Sequence, residues 1–510
     1  MNNRFKPSID ELKGFLESAQ VGIDQSDVET VLNGAQQLLL HFEAVEGYEL
    51  ESHSGRPLIQ DKVMTDQENA FGAWSKKFDL QESESGVLAG LTVAVKDNIA
   101  ISGVRMSFGS RHLEHFVPDS DATVVAKVLE SGARIAGTAT CEAYCLSGGS
   151  HTSWPAPVRN PLNTGHTSGG SSSGSAVLVA AGEVDVALGT DQGGSIRVPS
   201  AWCGVYGMKP TFGLVSCTGV ASVDESIDHV GPIARDLDSL ARLLTSIAGP
   251  DGQDPRQVRI PSTHPREPDY TNFRHLELPA AKIGILTEGF AIDNRSDPLV
   301  DRVVREAAAL VSDSGLASTQ DVSIPEHRLA ESARIALMTE GAATQFWNDF
   351  GNDGNPFGLA ETDYFDYISN AFRENSSTLP LNIASLVVAG LWTRSRDKGA
   401  VHARAKRFMT RLSAAYDEAL AVYDVLLMPT VPVTAPPMVD VSAKDIRTHT
   451  MARSTGINTA PFNVTGHPAI SVPCGTVGGL PVGLMLVSAH WSEEKLLKCA
   501  ELFENISISH

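Results

Sequence analysis

Lys96, Ser171 and Ser195 are the residues of this chain best suited to move a proton and attack a carbonyl, and each follows or closes a strand-like run. The stretch Gly189-Thr-Asp-Gln-Gly-Gly-Ser-Ile-Arg-Val198 is entered from the apolar run Val184-Asp-Val-Ala-Leu188. Gly193 and Gly194 permit positive φ, so several N–H groups can turn toward one point, where they would bind negative charge developing on oxygen. Ser195 stands at the end of that cluster as a nucleophile. The second stretch, Thr167-Ser-Gly-Gly-Ser-Ser-Ser-Gly-Ser-Ala-Val-Leu, passes directly from loop composition into an apolar run. A flexible Gly/Ser linker does not do that. Upstream, Leu91, Val93 and Val95 alternate along a strand that delivers Lys96 at its carboxyl end, where open α/β sheets place their ligands. Alone, such a lysine reads as a solvated edge charge; beside two Gly/Ser loops it reads as part of a hydrolase site.

The constellation resembles the amidase signature family. The resemblance is carried by GGSSSGSAVLVAAGEVDVALGTDQGGSIRVPSAWCGVYGMKPTFG at 169–213, LTVAVKDNIA at 91–100, ESIDHVGPIARD at 225–236 and NVTGHPAISVPCG at 463–475, and runs from about residue 70 to the C-terminus. It implies Ser195 as nucleophile, Ser171 as a bridging serine preceded by a cis peptide bond, and Lys96 as base. It also implies an oxyanion hole from the backbone N–H groups of Gln192, Gly193, Gly194 and Ser195, with Ser172, Asp191 and Arg197 in support. Departures from the commonest family pattern are Ser173, Gln192 and Met208; the side chain of Gln192 is placed to hydrogen-bond substrate. The chemistry sets a condition on Lys96. An ammonium cannot accept a proton, so the amine must be buried away from carboxylates. Asp97 meets this condition if the strand persists, because successive side chains point to opposite faces.

Rival motifs are weaker. Gly170-Ser-Ser-Ser-Gly174 fits the G-x-S-x-G elbow, which would make Ser172 the nucleophile, but Gly165-His-Thr-Ser-Gly169 before it is no strand. Ser492-Glu-Glu-Lys495 fits S-x-x-K without its companion elements and reads as a helix-capping serine. No phosphate-binding G-x-x-x-x-G-K-[ST] occurs. His112-Leu-Glu-His115 and Cys141-Glu-Ala-Tyr-Cys145 match neither a zincin helix nor paired C-x-x-C knuckles, so neither a metal nor a cofactor is expected. The cysteines are sparse, which suits a reduced interior.

These residues need a scaffold, and 510 residues suffice for a large core. Strand-like runs at 91–96, 134–137, 184–188 and 282–286 alternate with helical segments at 122–131 and 297–314. That rhythm predicts an α/β fold with a mixed β-sheet core covered by helices on both faces. A polar seam at 81–86 divides an N-terminal α-helical extension, 1–80, from a catalytic domain, 81–510. In the extension, Ser8-Ile-Asp-Glu11 reads as a capping box, and Ile9, Leu12, Leu16 and then Val28, Leu32, Ala35, Leu39 follow helical spacing. Helices this few cannot bury their apolar faces alone, and similar amidases use such an extension to dimerise, so a homodimer is expected. Residues 325–425 form a helix-rich insertion carrying Phe346, Trp347, Phe350, Phe357, Tyr364, Phe365, Tyr367, Phe372 and Trp392, two or three of which are expected to face substrate.

The formal net charge of −21 disfavours direct binding of nucleic acid through a basic surface. No apolar run is long enough for a membrane span and the N-terminus lacks a signal core, so a cytoplasmic protein is expected. The expected function is hydrolysis of small-molecule carboxylic amides, with carbamates such as urethane and esters sharing the chemistry. The alternatives are one component of an amidotransferase, working with protein partners on aminoacylated transfer RNA, or a binding protein that kept the fold.

Overall fold

The alternation along 91–96 becomes one central strand of a large mixed sheet. In a computed structural model, residues 6–19, 22–46, 55–344, 362–438, 455–506 and 508–510 are described. Twelve strands among them form one sheet. They are β1 (Trp74–Leu80), β2 (Thr92–Lys96), β3 (Arg134–Ala139), β4 (Val186–Asp191), β5 (Tyr206–Lys209) and β6 (His229–Ala234), then β7 (Ala281–Leu286), β8 (Ala317–Val322), β9 (Val425–Pro429), β10 (Ala469–Val477), β11 (Leu480–Val487) and β12 (Ile508–Ser509). Their order is β1-β3-β2-β4-β6-β5-β10-β11-β9-β7-β8, with β12 beside β10. The pairs β2–β3, β2–β4, β7–β8 and β7–β9 are parallel, while β4–β6, β5–β10 and β10–β11 are antiparallel.

Both faces are covered, and the period of two in the strands sorts the residues between them. Val93, Val95, Val186 and Leu188 join the cluster that contains residues of α3 (Thr123–Glu130), α6 (Leu237–Ile247) and α7 (Pro298–Asp313). The intervening Ala94 and Ala187 join a second cluster built on Ala176 to Val179 of α4 (Ser173–Ala180), which also holds Cys203 of α5 (Arg197–Cys203). Small residues face α4, which lets that helix sit close to the sheet.

The first 54 residues form a separate compact unit, Met1–Ser54, holding α1 (Ile9–Ser18) and α2 (Val28–Glu46). The capping box forms as expected, with Glu11 N–H donating to Ser8 Oγ and Ser8 N–H donating to Glu11 Oε2 at 2.7 Å. This compact unit ends at Ser54, short of the polar seam at 81–86. The reason is β1, an edge strand that pairs antiparallel with β3 and so belongs to the sheet.

The segment 325–425 supplies α8 (His327–Ala343), α9 (Thr362–Glu374), α10 (Leu381–Asp397) and α11 (Ala400–Leu420). Phe346, Trp347, Phe350 and Phe357 lie outside the described residues, as do the side chains of Tyr364 and Phe365. Phe372 is buried against Tyr144, and Trp392 is exposed. Among the described residues, no helix is long and apolar enough to cross a membrane.

Candidate active site

The parallel pairing of β2 with β4 sets Val95 opposite Leu188, so the ends of the two strands bring Lys96 beside Thr190. Lys96 is fully buried. Its Nζ donates to Ser171 Oγ at 2.8 Å, to Thr190 Oγ1 at 2.7 Å and to the Thr190 carbonyl at 3.4 Å. Among the described residues no carboxylate pairs with it. Asp97 is turned away as expected, accepting hydrogen bonds from the hydroxyls of Ser75 and Ser107. Burial pushes the Asp97 carboxyl up against the opposing pull of Lys76 and those hydroxyls.

Ser171 follows a cis peptide bond, Gly170–Ser171, immediately before α4. Ser172 ties the two serine loops together. Its Oγ donates to the Thr190 carbonyl at 3.1 Å and accepts from Thr190 N–H at 3.2 Å, and its own N–H donates to the Ser195 carbonyl at 3.1 Å. This positioning role leaves Ser172 buried, which disposes of the elbow motif as a nucleophile.

After β4 the chain folds around Asp191. Its carboxylate accepts from Gly194 N–H at 2.6 Å, Gly193 N–H at 3.2 Å and Ile196 N–H at 3.0 Å, and from two guanidinium nitrogens of Arg197 at 3.0 Å each. Asn463, from α12 (Ala460–Thr465), adds a bond to the Asp191 carboxylate and another to its carbonyl, both at 2.8 Å. Burial would raise this carboxyl, but the charge and hydrogen bonds of Arg197 hold it well below the ordinary carboxylate range. Gly194 has φ +131°, and a Cβ there would come within 2.3 Å of Thr459 Oγ1, so the turn requires glycine.

The loop splits the expected oxyanion donors into two pairs. Of the four N–H groups assigned to the oxyanion hole, those of Gly193 and Gly194 are spent on Asp191. The N–H groups of Gln192 and Ser195 have no acceptor among the described residues and remain available for an oxyanion. The Gln192 side-chain oxygen is also buried without a partner. Near it, burial pushes the Asp228 carboxyl up to about 7, against the opposing hydrogen bond from the Ser222 hydroxyl.

Ser195 opens onto a pocket that Gln192, Gly170, Cys145, Arg334 and Met338 also line. Among the described residues nothing hydrogen-bonds Ser195 Oγ. The structure therefore joins Lys96 to Ser171 directly and leaves the Ser171–Ser195 leg open. Catalytic hydrogen bonds in unliganded sites are often long and tighten with substrate.

Thr190, Cys145, Arg334, Met338, Thr459 and Asn463 join the site without having been expected there. Thr190 and Asn463 carried a signal, lying in the motifs at 169–213 and 463–475. None of the described aromatics of the helix-rich segment lines this pocket; α8 supplies Arg334 and Met338 instead. The other motifs disperse. His112 bonds Thr378 and Tyr144. Ser492 occupies the N-cap of the last helix, α13 (Glu493–Glu501), without the side-chain capping bond expected of it. All six cysteines are free and buried. Among the described residues, one group of metal-type donors gathers: His467 hydrogen-bonds Asp417 at 3.1 Å, His490 Nδ1 lies 3.6 Å from the same carboxylate, and His490 lines a different pocket.

A family model described as Amidase matches residues 57–497. The chain is 43% identical over 448 residues to an enantioselective amidase of Rhodococcus rhodochrous, covering 86% of this chain and 83% of that protein. It is 35% identical over 439 residues to a glutamyl-tRNA(Gln) amidotransferase subunit of Exiguobacterium sibiricum, covering 86% and 88%. Among solved structures, a peptide amidase in complex with the competitive inhibitor chymostatin superposes with a TM-score of 0.68 at 30% identity, covering 82% of this chain and 83% of that one.

Proposed function

Because the chain belongs to the Amidase family, we propose that it hydrolyses small-molecule carboxylic amides to acid and ammonia through an acyl-enzyme on Ser195. The observation that carries this reading is the 2.8 Å contact of Lys96 Nζ with Ser171 Oγ, buried and free of carboxylates, beside the pocket into which Ser195 opens. A neutral amine there can take the Ser171 proton as Ser171 takes that of Ser195, freeing Ser195 Oγ to attack the carbonyl carbon. The N–H groups of Gln192 and Ser195 bind the oxygen that becomes negative. When the tetrahedral intermediate collapses, the C–N bond breaks and the relay returns a proton to the leaving nitrogen, releasing ammonia. Water then cleaves the ester by the same relay and releases the acid. Carbamates and esters present the same carbonyl.

A second reading is favoured by the relatives named as amidotransferase subunits, in which ammonia would pass to a partner. The net charge of −21 argues against direct contact with nucleic acid. A panel of amides, carbamates and esters given to the purified chain separates the two. Ammonia released from simple amides without any partner is the expected result, and inertness toward the whole panel favours the amidotransferase.

The same reading places the enzyme in the cytoplasm, where buried free thiols stay reduced, and makes it a homodimer through α1 and α2. Phe15, Val31 and Leu38 of these helices are exposed. Apolar side chains of this kind call for a covering partner. In sedimentation the full chain is expected to run as a dimer and a chain lacking residues 1–54 as a monomer. A monomeric full chain overturns the assignment.

A further inference from the structure

Arg334 is a buried cation in the substrate pocket, and among the described residues no anion pairs with it. It projects from α8, is 7% exposed, and lines the pocket that Ser195 and Gln192 share. Among the described residues its Nε has no hydrogen-bond partner, and its Nη1 meets only the thioether of Met338, at 3.1 Å. The nearby acids are engaged elsewhere. Glu331, one helical turn earlier, is bound by Arg295, and Asp191 is bound by Arg197. The guanidinium lies against the oxyanion loop, since a Cβ on Gly193 would fall 2.6 Å from Arg334 Cδ and 2.9 Å from its Nε.

A charge held out of water is costly unless an opposite charge and hydrogen bonds compensate it. Burial accordingly lowers the hold of this guanidinium on its proton, with Glu331 and Asp191 opposing. A guanidinium offers five N–H donors in a planar fork that matches a carboxylate. Arg197, another cation of the active-site region, is satisfied within the protein by Asp191, the Thr459 carbonyl and Asn463. The unfilled donors of Arg334 thus face the one place where an acceptor can arrive with substrate.

We propose that Arg334 receives a carboxylate carried on the acyl part of the substrate, so that the preferred amides are half-amides of short dicarboxylic acids. This deepens the amidase reading and rests on it. The reaction is −OOC–R–CONH2 plus water giving −OOC–R–COO− plus NH4+, with the C–N bond broken and a C–O bond formed at the carbon attacked by Ser195. The distal carboxylate stays intact and serves only for binding. Arg334 acts as a specificity residue, recognising the end of the substrate that does not react.

The test uses succinamate and, as a neutral amide of similar length, pentanamide. Wild-type enzyme is expected to favour succinamate in kcat/KM. In Arg334→Met the ratio of the two kcat/KM values is expected to fall about 10- to 100-fold, as for loss of hydrogen bonds to a charged group, with the change in the KM for succinamate. Independently of turnover, succinate is expected to raise the melting temperature of the wild-type chain where pentanoate at equal concentration does not. A wild-type enzyme indifferent to the acid group, a ratio unchanged in Arg334→Met, or equal effects of succinate and pentanoate overturns the proposal. Because the thermal measurement needs no chemistry, failure of the acyl-enzyme reading leaves it readable. Conversely, pentanamide turnover without acid preference removes Arg334 and leaves the amidase reading standing.

Discussion

Replacing Ser195 with alanine is expected to lower kcat for amide hydrolysis by at least about 10⁴-fold, the scale seen when a nucleophile that acts as one unit with its base is removed. The residual rate would come from water attacking a carbonyl still polarised by the N–H groups of Gln192 and residue 195. Ser171 cannot substitute, because it is fully buried and hydrogen-bonded to Lys96. Cys145 is the thiol on this pocket wall, and its hydrogen bond to Cys141, with Lys96 and Ser171 beside it, lowers it despite burial. Steady-state ammonia release with the melting curve as a fold control reads the loss. Mass spectrometry of the wild-type enzyme quenched during turnover of a slow ester should place the acyl group on the peptide containing Ser195. Activity that survives Ser195→Ala but is abolished by alkylation would transfer the nucleophile to Cys145 and refute the assignment.

Strand ends and their chemistry were readable where local pattern and tertiary role agree. Leu91, Val93 and Val95 alternate because one face of β2 packs on the large core cluster, and the same alternation aims Lys96 at Thr190 and Asp97 at Ser75 and Ser107. β1 was missed because Trp74-Ser-Lys-Lys-Phe-Asp-Leu is an edge strand whose Lys76, Lys77 and Asp79 dilute its apolar residues. Charged residues on an edge are a protection against strand pairing between molecules, and in sequence they resemble a linker. The oxyanion loop shows a different limit. Composition identifies a cluster of N–H groups, yet only coordinates reveal that Asp191 consumes two of them. Arg334 was invisible for a third reason: in Arg328-Leu-Ala-Glu-Ser-Ala-Arg334 its charge has the look of a solvated helix face, and its burial depends on the pocket formed by residues far away in sequence.

Asp191 and Arg197 are both 0% exposed, and the largest stability effect at the site is expected from separating them. Asp191→Asn should cost about 3 to 5 kcal/mol, the usual penalty for stranding one member of a buried pair. Part of that penalty falls on catalysis, because the same carboxylate holds the N–H groups of Gly193 and Gly194 and so fixes the direction of the neighbouring Gln192 and Ser195 N–H groups. Arg197→Met should cost a similar amount by stranding the acid, whereas the double variant should lose less than the sum of the two, since it leaves no unpaired charge. The pH dependence follows from the depressed carboxyl of Asp191. Its folded form binds a proton less readily than the unfolded chain, at about 3.9, so its contribution is complete above that pH and is lost as pH falls toward the folded value. The gap between wild type and Asp191→Asn in denaturant melts should therefore be constant from about pH 5 to 8 and close only in stronger acid. A gap under about 1 kcal/mol at neutral pH, or one that closes on the alkaline side, would mean that the pair does not brace the loop, and the oxyanion geometry would need another support.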